Sequence, residues 1–269
     1  MKQLPNLFTL LNLFFGCIAV VLIMQTDSGI VILDPAGQAE VVFPERMAFG
    51  ALFIFFAAAV DFFDGFFARM LKASTDKGKQ LDSLSDVVSF GVAPGMIIYQ
   101  LLRLGYAKGE SGLDTSFGLL LPAFLFTCAV AWRLAKFNVS TNQSDSFIGV
   151  PSPAAGLVVA SFPLIIWYEY FNMQQYFINV WILYGVVALL SFLMVCNRRF
   201  IALKFKDYSL KNNLQNYLLI FLSIISIVVL QWLAIPVIFL LYLVFSALAK
   251  TPQPLIKTSP GDKTLDVTV

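Results

Sequence analysis

Asp61, Asp64, Asp82 and Asp86 are the residues of this chain best placed to do chemistry. They lie in the stretch DFFDGFFARMLKASTDKGKQLDSLSD, between the apolar runs FGALFIFFAAAV and VVSFGVAPGMIIYQLL. Both runs are apolar enough to lie in lipid, so the acids sit at or just inside a membrane boundary. Ionisable groups are costly there and by default mark function.

Helical geometry sorts the stretch into two faces. With Asp61 at zero and about 100° per residue, Asp64 falls near about 300°, Gly65 near 40°, Ala68 near 340° and Arg69 near 80°. Phe62, Phe63, Phe66 and Phe67 fill the arc from about 100° to about 240°. The polar face is expected to point into a bundle and the ring face to lipid or to packed neighbours. Gly65 and Ala68 beside the acids leave room for a large ligand to approach the backbone. Asp82 and Asp86 repeat the pattern one helical turn apart, with Gly78, Ser85 and Ser89 keeping their surroundings small and polar.

Four carboxylates converging from two helices repel one another unless cations are present. Hard divalent ions with oxygen ligands are natural partners, and two acids from each helix suit a pair of Mg²⁺ or Mn²⁺ ions. Such a site beside an arginine serves transfer at phosphorus, where the ions neutralise phosphate charge and clamp the entering and leaving oxygens. The same residues also fit an ion pathway in a cation-coupled transporter, or a buried structural acid pair bridged to Lys or Arg.

The elements that must position these acids are membrane helices. The 269 residues are 59% hydrophobic and 13% charged, with 27 Phe. That composition describes a multi-spanning helical membrane protein rather than a globular domain. A net charge of +2 is too small for nucleic-acid binding, and the absence of histidine leaves proton transfer to Asp, Glu, Lys or Tyr. Cys17, Cys128 and Cys196 are widely spaced in apolar runs, which suits packing and excludes a disulfide framework or a CxxC metal site. The apolar run through Cys17 continues to Met24, so the N-terminal segment is expected to be a retained first helix.

Hydropathy predicts about eight spans, near 5–25, 46–71, 82–104, 116–136, 152–171, 176–196, 214–231 and 233–249. With the N-terminus cytoplasmic, all of the 18 basic residues except Arg46, Arg103 and Lys108 fall on the inner side, a strong positive-inside bias. Both termini and the acidic cluster then face the cytoplasm. Residues 1–250 are expected to form one membrane-embedded catalytic domain, and the polar, Pro-containing residues 251–269 a disordered cytoplasmic tail.

Asp64, Gly65, Ala68, Arg69, Gly78, Asp82 and Asp86 fit the signature DGxxARx(8)GxxxDxxxD, and Asp61 precedes it by three residues. This resembles the CDP-alcohol phosphotransferases, integral membrane enzymes that move a phosphatidyl or similar group from a CDP-activated lipid to an alcohol. The resemblance implies that Asp61, Asp64 and Asp82 hold two metals on the CDP diphosphate. It implies that Asp86 touches the second metal and accepts the proton of the attacking hydroxyl. Gly65, Ala68 and Gly78 are implied to form the floor under the cytidine, with Arg69 nearby. Asn6 and Thr9, in LPNLFTLLNL, open the first helix, and similar PNxxT segments in the family lie against the nucleotide. The resemblance further implies a homodimer in a bacterial inner membrane.

The signature does not choose the acceptor alcohol, and a second stretch bears on that. AWRLAKFN and FIGVPSPAAG, within Ala131–Gly156, resemble the RLARFN and FxGLPxPAA segments of the family's serine-using branch, the membrane-embedded bacterial and archaeal phosphatidylserine synthases. Lys136 stands for the more usual Arg and Val150 for Leu. The implied substrates are CDP-diacylglycerol and L-serine, with Arg133 and Lys136 on the serine carboxylate and Asn138 adding a hydrogen bond. Basic residues here fit the phosphate of glycerol 3-phosphate equally. Gly149, Pro151 and Pro153 are expected to shape the start of the fifth helix.

Overall fold

In the computed structural model, described over residues 4–25, 31–33, 39–70, 75–108, 115–139, 147–200 and 213–248, the chain is an all-α bundle. Its long helices are α1 (Leu4–Met24), α2 (Glu45–Met70), α3 (Asp76–Val87), α4 (Ala93–Ala107), α6 (Ala123–Val139), α7 (Ser152–Tyr168), α9 (Val180–Val195), α10 (Leu214–Leu230) and α11 (Ala234–Leu248). Single-turn helices α5 (Phe117–Leu120) and α8 (Gln174–Phe177) precede α6 and α9. Among the described residues, extended backbone is confined to two antiparallel ribbons. In one, β1 (Val31–Leu33) meets β2 (Ala39–Val41) with Ile32 opposite Glu40. In the other, β3 (Phe147–Ile148) meets β4 (Arg199–Phe200).

A helix coincides with each apolar segment expected from hydropathy. By length and composition, Asn6–Met24, Glu45–Phe67, Asp76–Ala107 and Leu214–Leu248 are long and apolar enough to cross a membrane. The last of these is a hairpin: a 3₁₀ turn at Gln231–Leu233 breaks it, Gln231 takes φ 49°, and α10 packs along α11. The third expected segment begins earlier than hydropathy placed it, at Asp76, because Thr75 caps α3 by accepting from the Gly78 amide at 3.0 Å. Residues 251–269, expected to be a tail, lie outside the described residues.

Packing obeys membrane rules, in which small residues let helices approach closely. At Gly50 of α2 an added Cβ would come within 2.7 Å of Ile23 Cγ1 and 3.0 Å of the Ala19 carbonyl on α1. Of the four helices long and apolar enough to cross a membrane, the continuous rod from α3 through α4 is the most enclosed. Its Phe90, Ile97, Ile98, Leu101 and Leu102 are fully buried together with Phe126 of α6 and Leu164 of α7. Between α3 and α4 the rod widens into a π-helical turn at Val88–Val92. The Thr127 hydroxyl of α6 donates to the Gly91 carbonyl there at 2.9 Å. A π turn rotates the facing of the residues beyond it and is common beside functional sites.

Gly149, Pro151 and Pro153 shape the start of α7 as expected. Gly149 takes φ 74° with its amide on the Arg198 carbonyl at 3.0 Å, and Pro151 caps the helix in extended conformation. A Cβ on Gly149 would lie 2.5 Å from the Met194 carbonyl, so the position needs glycine for both backbone angle and space.

Candidate active site

The length of α2 sets the depth of the acids. Its 26 residues span about 39 Å, against about 30 Å of hydrocarbon. Starting from Glu45, which Pro44 and the first-turn charge favour as a helix start, Asp61 and Asp64 lie about 24 and 28 Å along the axis. That puts them at the far boundary. Asp61 is half-buried and Asp64 is buried. Across from them, α3 presents half-buried Asp82 and, one turn deeper, buried Asp86.

Carboxylate oxygens of Asp61, Asp64 and Asp82 all lie within 4.8 Å of one another. At that spacing each ionised pair repels by about 3 kcal/mol with an effective dielectric of 20. The groups that touch this acidic face include neutral donors: the Thr9 hydroxyl donates to Asp64 Oδ2 at 3.0 Å, and the Asn12 amide donates to Asp86 Oδ1 at 3.2 Å. An all-oxygen cluster of this kind, in a chain without histidine, fits a hard divalent cation. Asp86 stands outside the tight three-carboxylate group yet within electrostatic reach of all three.

One stripe of α1 lies along the site. Asn6, Thr9, Asn12 and Gly16 recur at helical spacing and meet successive partners. Asn6 Oδ1 lies 3.1 Å from where a Cβ on Gly78 would be, Thr9 meets Asp64, and Asn12 meets Asp86. A Cβ on Gly16 would collide with the Ser89 hydroxyl, and Ser89 Oγ donates to the Asn12 carbonyl at 3.1 Å. The pairs Asn6–Gly78, Asn12–Asp86 and Gly16–Ser89 advance together, so α1 and α3 run parallel here. The spacing in α1 carried this signal, since Asn12 continues the three-residue step of Asn6 and Thr9 and Gly16 lies one turn further on.

The ring face behaves as the helical angles require. Phe62, Phe63 and Phe66 are 65%, 49% and 47% exposed, while Phe67 stacks on Phe8 of α1 with centroids 5.3 Å apart. Gly65 is half-buried next to Asp64. Ala68 and Arg69 occupy the last turn of α2, and their side chains lie outside the described residues.

The three basic and amide candidates on α6 separate. Arg133 turns inward: its guanidinium lies within electrostatic reach of Asp86, and Nη1 donates to the buried Ser152 hydroxyl at 3.0 Å. Lys136 points to the surface and donates to Asn197 Oδ1. Asn138 donates to Ser83 Oγ at 2.8 Å, tying α6 to the turn of α3 that carries Asp82. Helical spacing explains the separation, since Asn138 is turned about 140° from Arg133. Ser152, in the PSPAAG segment, anchors Arg133, a contact that sequence reasoning passed over by treating the segment as a helix start.

The fold and site together define an all-helical protein of membrane character with an acidic, cation-fitting carboxylate cluster, an arrangement suited to transfer at phosphorus. A family model described as CDP-alcohol phosphatidyltransferase matches residues 2–192. The chain belongs to that family. It is 34% identical to the CDP-diacylglycerol–serine O-phosphatidyltransferase of Helicobacter pylori (strain J99) over 246 residues, covering 90% of this chain and 88% of the relative. The Bacillus subtilis (strain 168) enzyme of the same name is 42% identical over 113 residues, covering 41% of this chain and 59% of the relative. The archaetidylserine synthase of Methanothermobacter thermautotrophicus is 29% identical over 169 residues, covering 62% and 60%.

Proposed function

We propose that this chain transfers the phosphatidyl group of CDP-diacylglycerol to the hydroxyl of L-serine, giving phosphatidylserine and CMP. One observation carries the reading. A relative whose name states that activity matches 90% of the chain, a span too long to omit either the acidic stretch or Arg133–Gly156. Arg133, anchored on Ser152 beside Asp86, supports a carboxylate-bearing acceptor.

In this mechanism Asp86 takes the proton of the serine hydroxyl as its oxygen bonds to the phosphorus that carries the diacylglycerol. The bridging P–O bond breaks, and its electron pair leaves with CMP. Asp61, Asp64, Asp82 and Asp86 would hold two divalent cations, Mg²⁺ or Mn²⁺, which would neutralise charge on the diphosphate and the departing CMP. Thr9 and Asn12 orient Asp64 and Asp86 from α1. Asn6, Thr9, Gly65, Ala68, Arg69 and Gly78 line the CDP-lipid, Arg133 holds the serine carboxylate, and Lys136 and Asn138 lie at the mouth of the acceptor site. The acyl chains approach from the bilayer past the exposed ring face of α2.

The positive-inside pattern supports a cytoplasmic placement of the site and both termini, and the bacterial relatives support a bacterial inner-membrane protein. The catalytic unit is residues 1–250, working as a homodimer, with 251–269 as its tail. The test supplies purified membranes with CDP-diacylglycerol, labelled serine and Mg²⁺ or Mn²⁺, and monitors phosphatidylserine and CMP. Product from glycerol 3-phosphate but not from serine refutes the acceptor assignment. Flux into sealed vesicles without CMP release refutes the enzyme itself.

A further inference from the structure

Two buried polar atoms beside Asp86 have no hydrogen-bond partner among the described residues: Asn12 Oδ1 and Arg133 Nε. They are opposite in kind. Arg133 Nε can only donate, so it requires an acceptor such as a carboxylate. Asn12 Oδ1 can only accept, so it requires a donor.

The orientation of the Asn12 amide is fixed by its neighbour. The Asn12 amide donates its NH₂ to Asp86 Oδ1, 3.2 Å away, and leaves its oxygen for another group. Asn12 is fully buried. Its backbone carbonyl is already engaged by Ser89, so the side-chain oxygen is the part of the residue left to be satisfied. An unpaired buried acceptor is unfavourable, and a bound donor relieves it.

A serine that presents its hydroxyl to Asp86 and its carboxylate to Arg133 has its ammonium on the carbon between them. The atoms that need partners thus match the charged groups of an α-amino acid, one for one. Glycerol 3-phosphate matches the arginine with its phosphate but offers Asn12 only a neutral hydroxyl, a weaker donor than an ammonium.

We infer that the Asn12 side-chain oxygen accepts a hydrogen bond from the α-ammonium of the acceptor, which makes Asn12 the residue that selects an amino-bearing alcohol. The inference rests on serine being the acceptor and assigns the part of serine that Arg133, Lys136 and Asn138 leave unrecognised. Asn12 also positions Asp86 through its amide nitrogen, and the two roles separate by experiment.

The experiment compares the full-length purified enzyme with Asn12→Ala, using CDP-diacylglycerol and two acceptors at high concentration: L-serine and 3-hydroxypropionate, which is serine without its ammonium. The wild type is expected to prefer serine strongly. In the variant, kcat/KM for serine falls about 10- to 100-fold, as loss of one hydrogen bond to a charged group implies. It falls mainly through KM, while 3-hydroxypropionate loses much less, so the preference collapses. L-alanine and propionate, as inhibitors of serine transfer, give a second readout: the advantage of alanine over propionate disappears in the variant. Equal losses with both acceptors, a retained alanine advantage, or a wild type indifferent to the ammonium each overturn the inference. Thermal stabilisation by CDP certifies the fold, and if Asn12→Ala lacks it, Asn12→Ser is read by the same ratios. Failure of serine as an acceptor is distinct, because it shows in the wild type as absence of phosphatidylserine.

Discussion

Ser152→Ala offers a sharp test of how the acceptor site is assembled. Ser152 is fully buried at the first residue of α7, and its hydroxyl accepts from Arg133 Nη1 at 3.0 Å. The substitution removes one oxygen and leaves the methylene packing in place. A hydrogen bond to a charged group contributes about 1.5–3 kcal/mol. The guanidinium also stays within reach of Asp86, so the lower end of that range applies, and about 1.5 kcal/mol corresponds to roughly a tenfold change. Freed from Ser152, the guanidinium swings towards the Asp86 carboxylate and away from the acceptor carboxylate. The expected result in a CMP-release assay is a serine KM raised about tenfold, with the CDP-diacylglycerol KM unchanged and the thermal midpoint close to wild type. Arg133→Lys is expected to mimic it, because a lysine lacks the two-pronged geometry. An unchanged serine KM with a raised CDP-diacylglycerol KM would refute the reasoning, since Arg133 would then belong to the nucleotide side.

Asp86→Asn is expected to abolish turnover while CDP-lipid binding, read by thermal stabilisation, persists; near-normal turnover would remove Asp86 as the base. Gly16→Ala drives a Cβ into Ser89, whose Cα would lie 3.0 Å away, and overpacking of this kind costs about 1–3 kcal/mol. A thermal midpoint lower by several degrees is expected, with partial recovery in the Gly16→Ala, Ser89→Gly double variant; no recovery would locate the strain elsewhere. Chelation with EDTA is expected to stop CMP release, and Mg²⁺ or Mn²⁺ but not K⁺ to restore it; activity that survives exhaustive chelation argues against a cation on Asp61, Asp64 and Asp82.

Residues on one helix were the ones legible in the sequence. The angular sorting of Asp61, Asp64 and the phenylalanines depends only on helical period, and the exposed Phe62, Phe63 and Phe66 conform to it. The PNxxT motif marked Asn6 and Thr9 as candidate nucleotide contacts, but the hydrogen bond from Thr9 to Asp64 was not visible in it. Contacts that depend on two helices meeting were not legible. Asn12 continues the polar spacing of Asn6 and Thr9, but its partner was not visible: only the parallel run of α1 beside α3 brings it to Asp86. Arg133, Lys136 and Asn138 share six residues of sequence but diverge around α6, so Arg133 alone among them turns to the acids while the others meet Asn197 and Ser83. The π turn at Val88–Val92 has no single-residue signature, because it reflects how Ser89, Phe90 and Gly91 pack against α1, α6 and α7.

The placement of α1 explains how acids this close are kept in register at a membrane boundary. Lipid supplies no hydrophobic drive between helices, so close packing and buried polar contacts must fix their positions. Along α1, close approach at Gly16 and hydrogen bonds at Thr9 and Asn12 alternate within a few turns. A slide of α1 by one residue would cost all three contacts at once. The same helix therefore fixes Asp64 on α2 and Asp86 on α3 relative to each other. Substitutions on its Asn6–Gly16 face should alter turnover and the metal dependence together, whereas those on its exposed face, at Leu7 or Phe14, should alter neither.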